Sequence, residues 1–246
     1  MVHFCIRLAG IPIGVTCQSP YTETFCRDYI CDEFPQVDVT VEPEDILSER
    51  ERNAVNNSDP GQVGLSQYYC ELSALLRKIC EALVPFDILL LHGSAIAVDN
   101  NGYLFTAKSG AGKSTHAALW RKELISSGHD VFMINDDKPF IKVSGDEILI
   151  CGTPWSGKHH LDTDSMVPLC AIGKIEKSGI NETTPMPKDE FWTTMIKQSY
   201  IPEKPELAEH VLSMIQKIIE KTPCFRILCN MGPEAAHISW QAMRKE

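Results

Sequence analysis

The sequence predicts an α/β fold in which a small β-rich subdomain over 1–64 precedes a core over 65–246. Three observations predict it. Branched residues alternate with period two in the first forty residues, and helical and strand-like patterns alternate after residue 65. Between them lies the polar run "SERERNAVNNSDPGQ", which reads as a solvated loop and a domain boundary. In the second part, "TAKSGAGKSTHAALW" reads as the end of a strand, a glycine-rich turn and the start of a helix.

The elements follow in order. "VHFCIRLAGIPIGVTC" reads as two strands joined at Gly10, "SPYTETFCRDYIC" as a short helix begun by Ser19 with Pro20 inside it, and "QVDVTVEP" as a half-buried strand. After the boundary, "GLSQYYCELSALLRKICEAL" has apolar residues at helical spacing and stops before Pro85. "FDILLLHGSAIAVDNNGYLFTAK" predicts strands with a turn at Asn100 to Gly102, and "GKSTHAALWRKELISSG" a helix closed by Gly128. "DVFMIND" is a buried strand, and "PFIKVSGDEILICGTPW" a hairpin turning at Ser144 to Asp146. "ELAEHVLSMIQKIIEK", "CFRILC" and "PEAAHISWQAMRK" close the chain as helix, strand and helix.

Composition narrows the function. A net charge of −10 argues against a generic nucleic-acid or anionic-membrane binder, because both rely on basic surfaces. No stretch reaches the roughly 18 apolar residues of a membrane helix. The opening "MVHFCIRLAGIPIGV" carries His3 and Arg7 and alternates like a strand, so a cytoplasmic protein without a signal peptide is expected. Ten cysteines form no Cys-x-x-Cys pair, which favours reduced, mostly buried thiols over a metal cluster.

A glycine-rich turn that opens a helix aims backbone N–H groups at one point, where the helix dipole adds positive potential. Ser109, Gly110, Ala111 and Gly112 supply that turn, Lys113 a charge for the β- and γ-phosphates, Ser114 a hydroxyl for Mg²⁺, and Thr115 the first helical turn. The usual pattern places glycine where Ala107 stands, a mild departure wherever φ is negative. Phosphoryl transfer further needs a metal-side carboxylate and a group that receives the acceptor's proton. Asp136 and Asp137 in "VFMINDDKP", on a strand expected beside the loop strand, are candidates; the competing reading is a polar turn before Pro139. His92, where "LLLHGSAIAV" breaks, is either a satisfied turn residue or a proton partner. "GTPWSGKHH" suits an acceptor rim, with Lys158 reaching phosphate and Trp155 stacking, or a plain hairpin exit with a packing tryptophan; His159 and His160 look like loop residues.

His92-Gly93, then "SGAGKST", then "NDDKP" resembles the catalytic domain of the HPr kinase/phosphorylase family and, more distantly, the phosphoenolpyruvate carboxykinases. The resemblance covers about Leu91 to Pro139. It implies a P-loop kinase core with a mixed sheet, with ATP and Mg²⁺ as cofactors. It places Lys113 and Ser114 on the phosphates and Mg²⁺, Asp136 and Asp137 as metal-side carboxylate and base in an order left open, and His92 beside the same proton. The family loop usually reads Gly-Asp-Ser-Gly with Glu after Lys-Ser, whereas Ala107, Lys108 and Thr115 stand there in this chain. The family's HPr-recognition loop and usual N-terminal domain are also not found. The chain is therefore similar to HPr-kinase-related proteins, some of which accompany peptide-modifying systems, and HPr itself is not the expected substrate.

The sequence expectation is an ATP-dependent phosphotransferase acting on a hydroxyl of a peptide, protein or small molecule. The alternatives are a nucleotide-binding regulator without turnover and a P-loop nucleoside-triphosphate hydrolase. The N-terminal part is expected to carry acceptor recognition or the contacts of a homo-oligomer.

Overall fold

The computed structural model describes residues 1–56, 67–108, 110–230 and 232–245. The chain forms two units, Met1–Leu83 and Val84–Glu246.

The first unit holds β1 (Val2–Leu8), β2 (Ile11–Cys17), α1 (Pro20–Phe25), β3 (Val37–Thr40), α2 (Pro43–Asn56) and α3 (Gln67–Leu83). Ala9 and Gly10, both at positive φ, make the tight turn between β1 and β2, which pair antiparallel, and β3 joins β2 in parallel. Ser19 caps α1 through its side chain, with Pro20 in the first turn.

Two expectations change here. The run expected as a loop is helical through Asn56, and its remainder up to Gln62 lies outside the described residues. Glu49, 4% exposed, explains the helix: its carboxylate accepts from Arg52 one turn on and from Arg77 of α3, so a polar sequence buries one face by pairing charges. The unit also ends at Leu83 rather than at 64, because α3 packs into it. Glu71 of α3, 1% exposed, accepts hydrogen bonds from the Gln18 and Ser19 N–H groups and the Thr22 hydroxyl. With α2 and α3 included, this unit has a small sheet of its own but more helix than strand.

The second unit holds β4 (Ile88–Leu90), β5 (Ser94–Val98), β6 (Asn101–Thr106), α4 (Lys113–Ser126), β7 (Val131–Asn135), β8 (Phe140–Ser144) and β9 (Glu147–Cys151). It continues with β10 (Met166–Lys177), β11 (Glu182–Pro185), α5 (Lys188–Gln198), α6 (Pro205–Lys221), β12 (Cys224–Cys229) and α7 (Pro233–Met243). Its mixed sheet runs β4-β8-β9-β10-β6-β5-β7, with β12 pairing β10 and β11. β10 is parallel to β6 and β12, while every other pairing is antiparallel.

Alternation along the central strands divides the core in two. Ala95, Ala97, Leu104 and Ile172 join Phe191 and Met195 of α5 and Val211, Met214 and Ile218 of α6. Ile96, Val98, Phe105 and Ala171 join Ala117 and Trp120 of α4 and Ala235 and Met243 of α7. Helices therefore cover both faces, which is why β5 and almost all of β6 are buried end to end. Among the described residues, no helix is long and apolar enough to cross a membrane.

The β5–β6 turn falls one residue earlier than expected, on Asp99 and Asn100, both in the left-handed region. Gly102 serves packing instead: a Cβ there would lie 2.4 Å from Ile150 Cγ2 and 3.0 Å from the Pro168 carbonyl oxygen. Gly102→Ala is expected to cost about 1–3 kcal/mol through overpacking, read as a lower urea midpoint. An unchanged midpoint would show that β6 and its neighbours have room for a methyl group.

Candidate functional site

β6 ends at the buried Thr106, and the glycine-rich turn follows. Gly110 and Gly112 take φ of 73° and 108°, conformations that a side chain strains, and Ala111 N–H closes onto Lys108 O at 3.1 Å. Gly112 is the N-cap of α4, and no side chain caps that helix end. Its first-turn N–H groups thus stay available to an anion. Ser114 and Thr115 are exposed, Lys113 is half-buried, and Ser109 lies outside the described residues.

Behind the turn, α4 is held by buried polar contacts that the sequence does not advertise. Trp120 Nε1 donates to Ser239 Oγ at 2.8 Å, His116 Nε2 meets the same oxygen at 3.0 Å, and Ser239 donates to the Ala235 carbonyl at 2.8 Å. Burial pushes the His116 imidazole down to about 4, so it is neutral at physiological pH. Phe105 and Trp120 stack edge to face at 4.9 Å beside it.

Asp136 and Asp137 follow β7, which is not the immediate neighbour of β6; β5 lies between them, antiparallel to both. The consequence is the same convergence by another route. The start of β5 meets the ends of β6 and β7, with Ser94 opposite Phe105 and Ala95 opposite Asn135. His92 and Gly93, just before β5, are tied to both sides: Thr106 Oγ1 donates to His92 O at 3.2 Å, and Gly93 N–H to Asp137 O at 3.0 Å.

The two aspartates have different surroundings. Asp136, 7% exposed, accepts the Ser94 hydroxyl at 2.6 Å. Asp137 lies 3.2 Å from His92 Nε2 and 3.1 Å from Lys138 Nζ. Burial raises the Asp137 carboxyl, but hydrogen bonds and charge from His92 and Lys138 outweigh it, leaving it below the ordinary carboxylate range and ionised at neutral pH. Burial lowers the Lys113 ammonium, and the charges of Asp137 and Asp136 oppose that lowering, so both carboxylates act on the loop lysine. The structure thus brings His92, Lys113, Asp136 and Asp137 to one end of the sheet.

Asn135 anchors this corner and is absent from the candidates chosen by sequence. Its Oδ1 accepts from the N–H groups of Asp137 and Lys138 at 2.8 and 2.7 Å, an Asx turn that bends the chain after β7. Its Nδ2 donates to Thr153 O and Oγ1, and Thr153 Oγ1 donates to Lys138 O at 2.8 Å. The "Asn-Asp-Asp" pattern carried this signal, since the turn reading and the carboxylate reading hold together. The segment after β9 is pinned to the same place, with Asn135 bridging Asp162 and Thr163 N–H bonding Ile134 O at 3.2 Å. Gly157 lies against Asp137: a Cβ on it would sit 3.3 Å from Asp137 Cβ. Trp155, 6% exposed, packs inward and offers no stacking face, whereas Lys158, His159 and His160 are exposed.

Among the described residues, no group of three or more His, Cys, Asp or Glu is arranged to hold a metal ion by itself.

The fold and site define a mixed α/β protein with a glycine-rich turn facing a pair of carboxylates. Comparison with models of known protein families finds no match, and comparison with curated proteins finds none. Among solved structures, the chain is similar to the HPr(Ser) kinase/phosphatase from Coxiella burnetii, at 11% identity and a TM-score of 0.35, over 62% of this chain and 95% of that one.

Asn135→Ala is expected to cost on the order of 3 kcal/mol, because it leaves several buried polar groups unpaired. Asn135→Asp keeps the acceptor of the turn but loses both bonds to Thr153 and buries a charge beside Asp136, and should be at least as destabilised as Ala in a urea titration. Equal stability of all three would remove Asn135 as the anchor.

Proposed function

We propose that the chain is an ATP-dependent phosphotransferase that moves the γ-phosphoryl group to an acceptor hydroxyl, with the turn at 107–115 holding the phosphates. The observation that carries this reading is the His92–Asp137 pair, 3.2 Å apart, at the end of the sheet where the turn opens α4. A turn that only held phosphate would need no ionised carboxylate directed by a histidine beside it.

In this reading the uncapped N-terminus of α4 and Lys113 bind the β- and γ-phosphates and offset charge that builds on them in transfer. Mg²⁺, held by Ser114 and Asp136 together with the phosphates, would neutralise phosphate charge when bound. Asp136 suits the metal side because it is buried, with the Ser94 hydroxyl fixing one oxygen. Asp137 suits the base: it is less enclosed, its backbone is bent outward by Asn135, and His92 and Lys138 orient its carboxylate. Because that carboxyl is held low, it is a weak base that takes the hydroxyl proton as the oxygen–phosphorus bond forms. His92 and Lys138 hold that carboxylate in place while it takes the proton. The acceptor enters past the exposed turn at Gly157 to His159, which borders Asp137.

Incubation with γ-labelled ATP, Mg²⁺ and extract of the source cell tests the reading. The native protein should label an acceptor, and Asp137→Asn should lower transfer by about 10²–10⁴-fold while nucleotide affinity changes only a few-fold. Equal labelling by both proteins would overturn the role of Asp137. Binding without any transfer would make the chain a nucleotide-dependent regulator, and free phosphate released without an acceptor would make it a hydrolase.

A pH titration tests Lys113 separately. Its ammonium is held below the ordinary lysine range by burial, so its charge is lost at a lower pH than that of an exposed lysine. ATP affinity of the native protein should therefore fall with alkaline pH earlier than that of Lys113→Arg, and Lys113→Ala should bind roughly tenfold or more weakly throughout. Identical pH curves for the native and Arg proteins would place Lys113 away from the phosphates.

A further inference from the structure

Cys5 and Cys31 lie opposite one another in the first unit. Ile6 and Ile30 form an antiparallel bridge, and in that register the next pair outward is Cys5 with Cys31. The Cys31 N–H donates to the Cys5 carbonyl at 3.0 Å, which makes this a hydrogen-bonded pair of the ladder. Such pairs hold their Cα atoms about 5.5 Å apart, inside the range that a disulfide spans without moving the backbone. The thiols already meet, with Sγ to Sγ at 3.5 Å. Both side chains are part-exposed, whereas Cys17, Cys26, Cys70, Cys80, Cys151, Cys224 and Cys229 are buried. Cys170, the other part-exposed thiol, bonds Asn101 Oδ1 and the Pro168 carbonyl instead of a second sulfur.

We propose that Cys5 and Cys31 form a reversible dithiol–disulfide pair that exchanges with small-molecule disulfides of the glutathione type. The Cys31 thiolate attacks one sulfur of the small disulfide, forming a mixed disulfide and expelling one small thiolate. The Cys5 thiolate then attacks Cys31 Sγ, breaking the mixed disulfide and expelling the second. The protein gives up two protons and two electrons, and the small disulfide becomes two thiols. Burial and the adjoining Cys31 thiol, which donates to Cys5 Sγ, push the Cys5 thiol up to about 11. The product staples the segment after the buried Tyr29 to the middle of β1, so that the edge of the small sheet is closed covalently.

The test uses the full chain, fully reduced, then exposed to glutathione disulfide at neutral pH, quenched with acid, unfolded in denaturant, alkylated and mapped by peptide mass. Two of the ten thiols should escape alkylation and be found joined as Cys5–Cys31, and dithiothreitol should return both. Cys5→Ser should trap glutathione on Cys31, while Cys31→Ser should leave Cys5 alkylatable. The proposal is overturned if all ten thiols remain alkylatable, if Cys5 and Cys31 in the native chain carry glutathione singly, or if either is joined to another cysteine. Unfolding midpoints of the two serine variants within a few degrees of the reduced native chain confirm that the thiols were compared in one fold.

Discussion

β5 runs antiparallel to both of its neighbours, β6 and β7, so the residues that enter it lie beside the residues that leave them. This pairing brings together three pieces of chain far apart in sequence: His92-Gly93, the turn after Thr106, and Asn135 to Lys138. Their backbones are then joined by the bonds from Thr106 to His92 and from Gly93 to Asp137. A β5 slipped by one residue would turn Ile96 and Val98 toward α5 and α6 and lose both cores at once, so hydrophobic burial enforces the register that assembles the site.

Within that corner, neighbouring carboxylates are made chemically different by their surroundings. Asp136 is enclosed and receives a neutral hydroxyl, while Asp137 is shared between a histidine and a lysine. Neither faces the other's fate, because the Asx turn at Asn135 redirects the chain between β7 and Lys138. Lys113 then sits in the field of both, on a chain whose net charge is −10. Local charge, rather than the overall balance, therefore sets the electrostatics of this corner.

The first unit uses buried carboxylates for a different purpose. Glu71 gathers two donors from the segment between β2 and α1 and a third from Thr22 of α1, and Glu49 pairs with arginines of α2 and α3. Each carboxylate is paid for by donors that only the folded unit supplies, so removing one partner strands a charge in the interior. These links hold two helices rich in charged residues onto a sheet of only three strands.

The local elements were largely legible because their signals are local. Glycines mark the turns at Gly10, Gly128 and Gly145, Ser19 and Pro20 mark a helix start, and the phosphate-turn spacing lies within one short segment. What stayed hidden depends on partners distant in sequence. The later half of α2 looks like a loop because its stabilising arginine comes from α3, and β10 has Pro168 and Gly173 breaking any periodicity. Gly102 looked like a turn glycine until Ile150 was placed against it, and Asn135 looked like punctuation until Thr153 became its partner. By itself the sequence determined most of the local elements and the residue types capable of phosphate chemistry. Tertiary structure alone decided that β5 stands between β6 and β7, and so which histidine, lysine and carboxylates share one corner, because strand order is set by burial summed over the whole sheet.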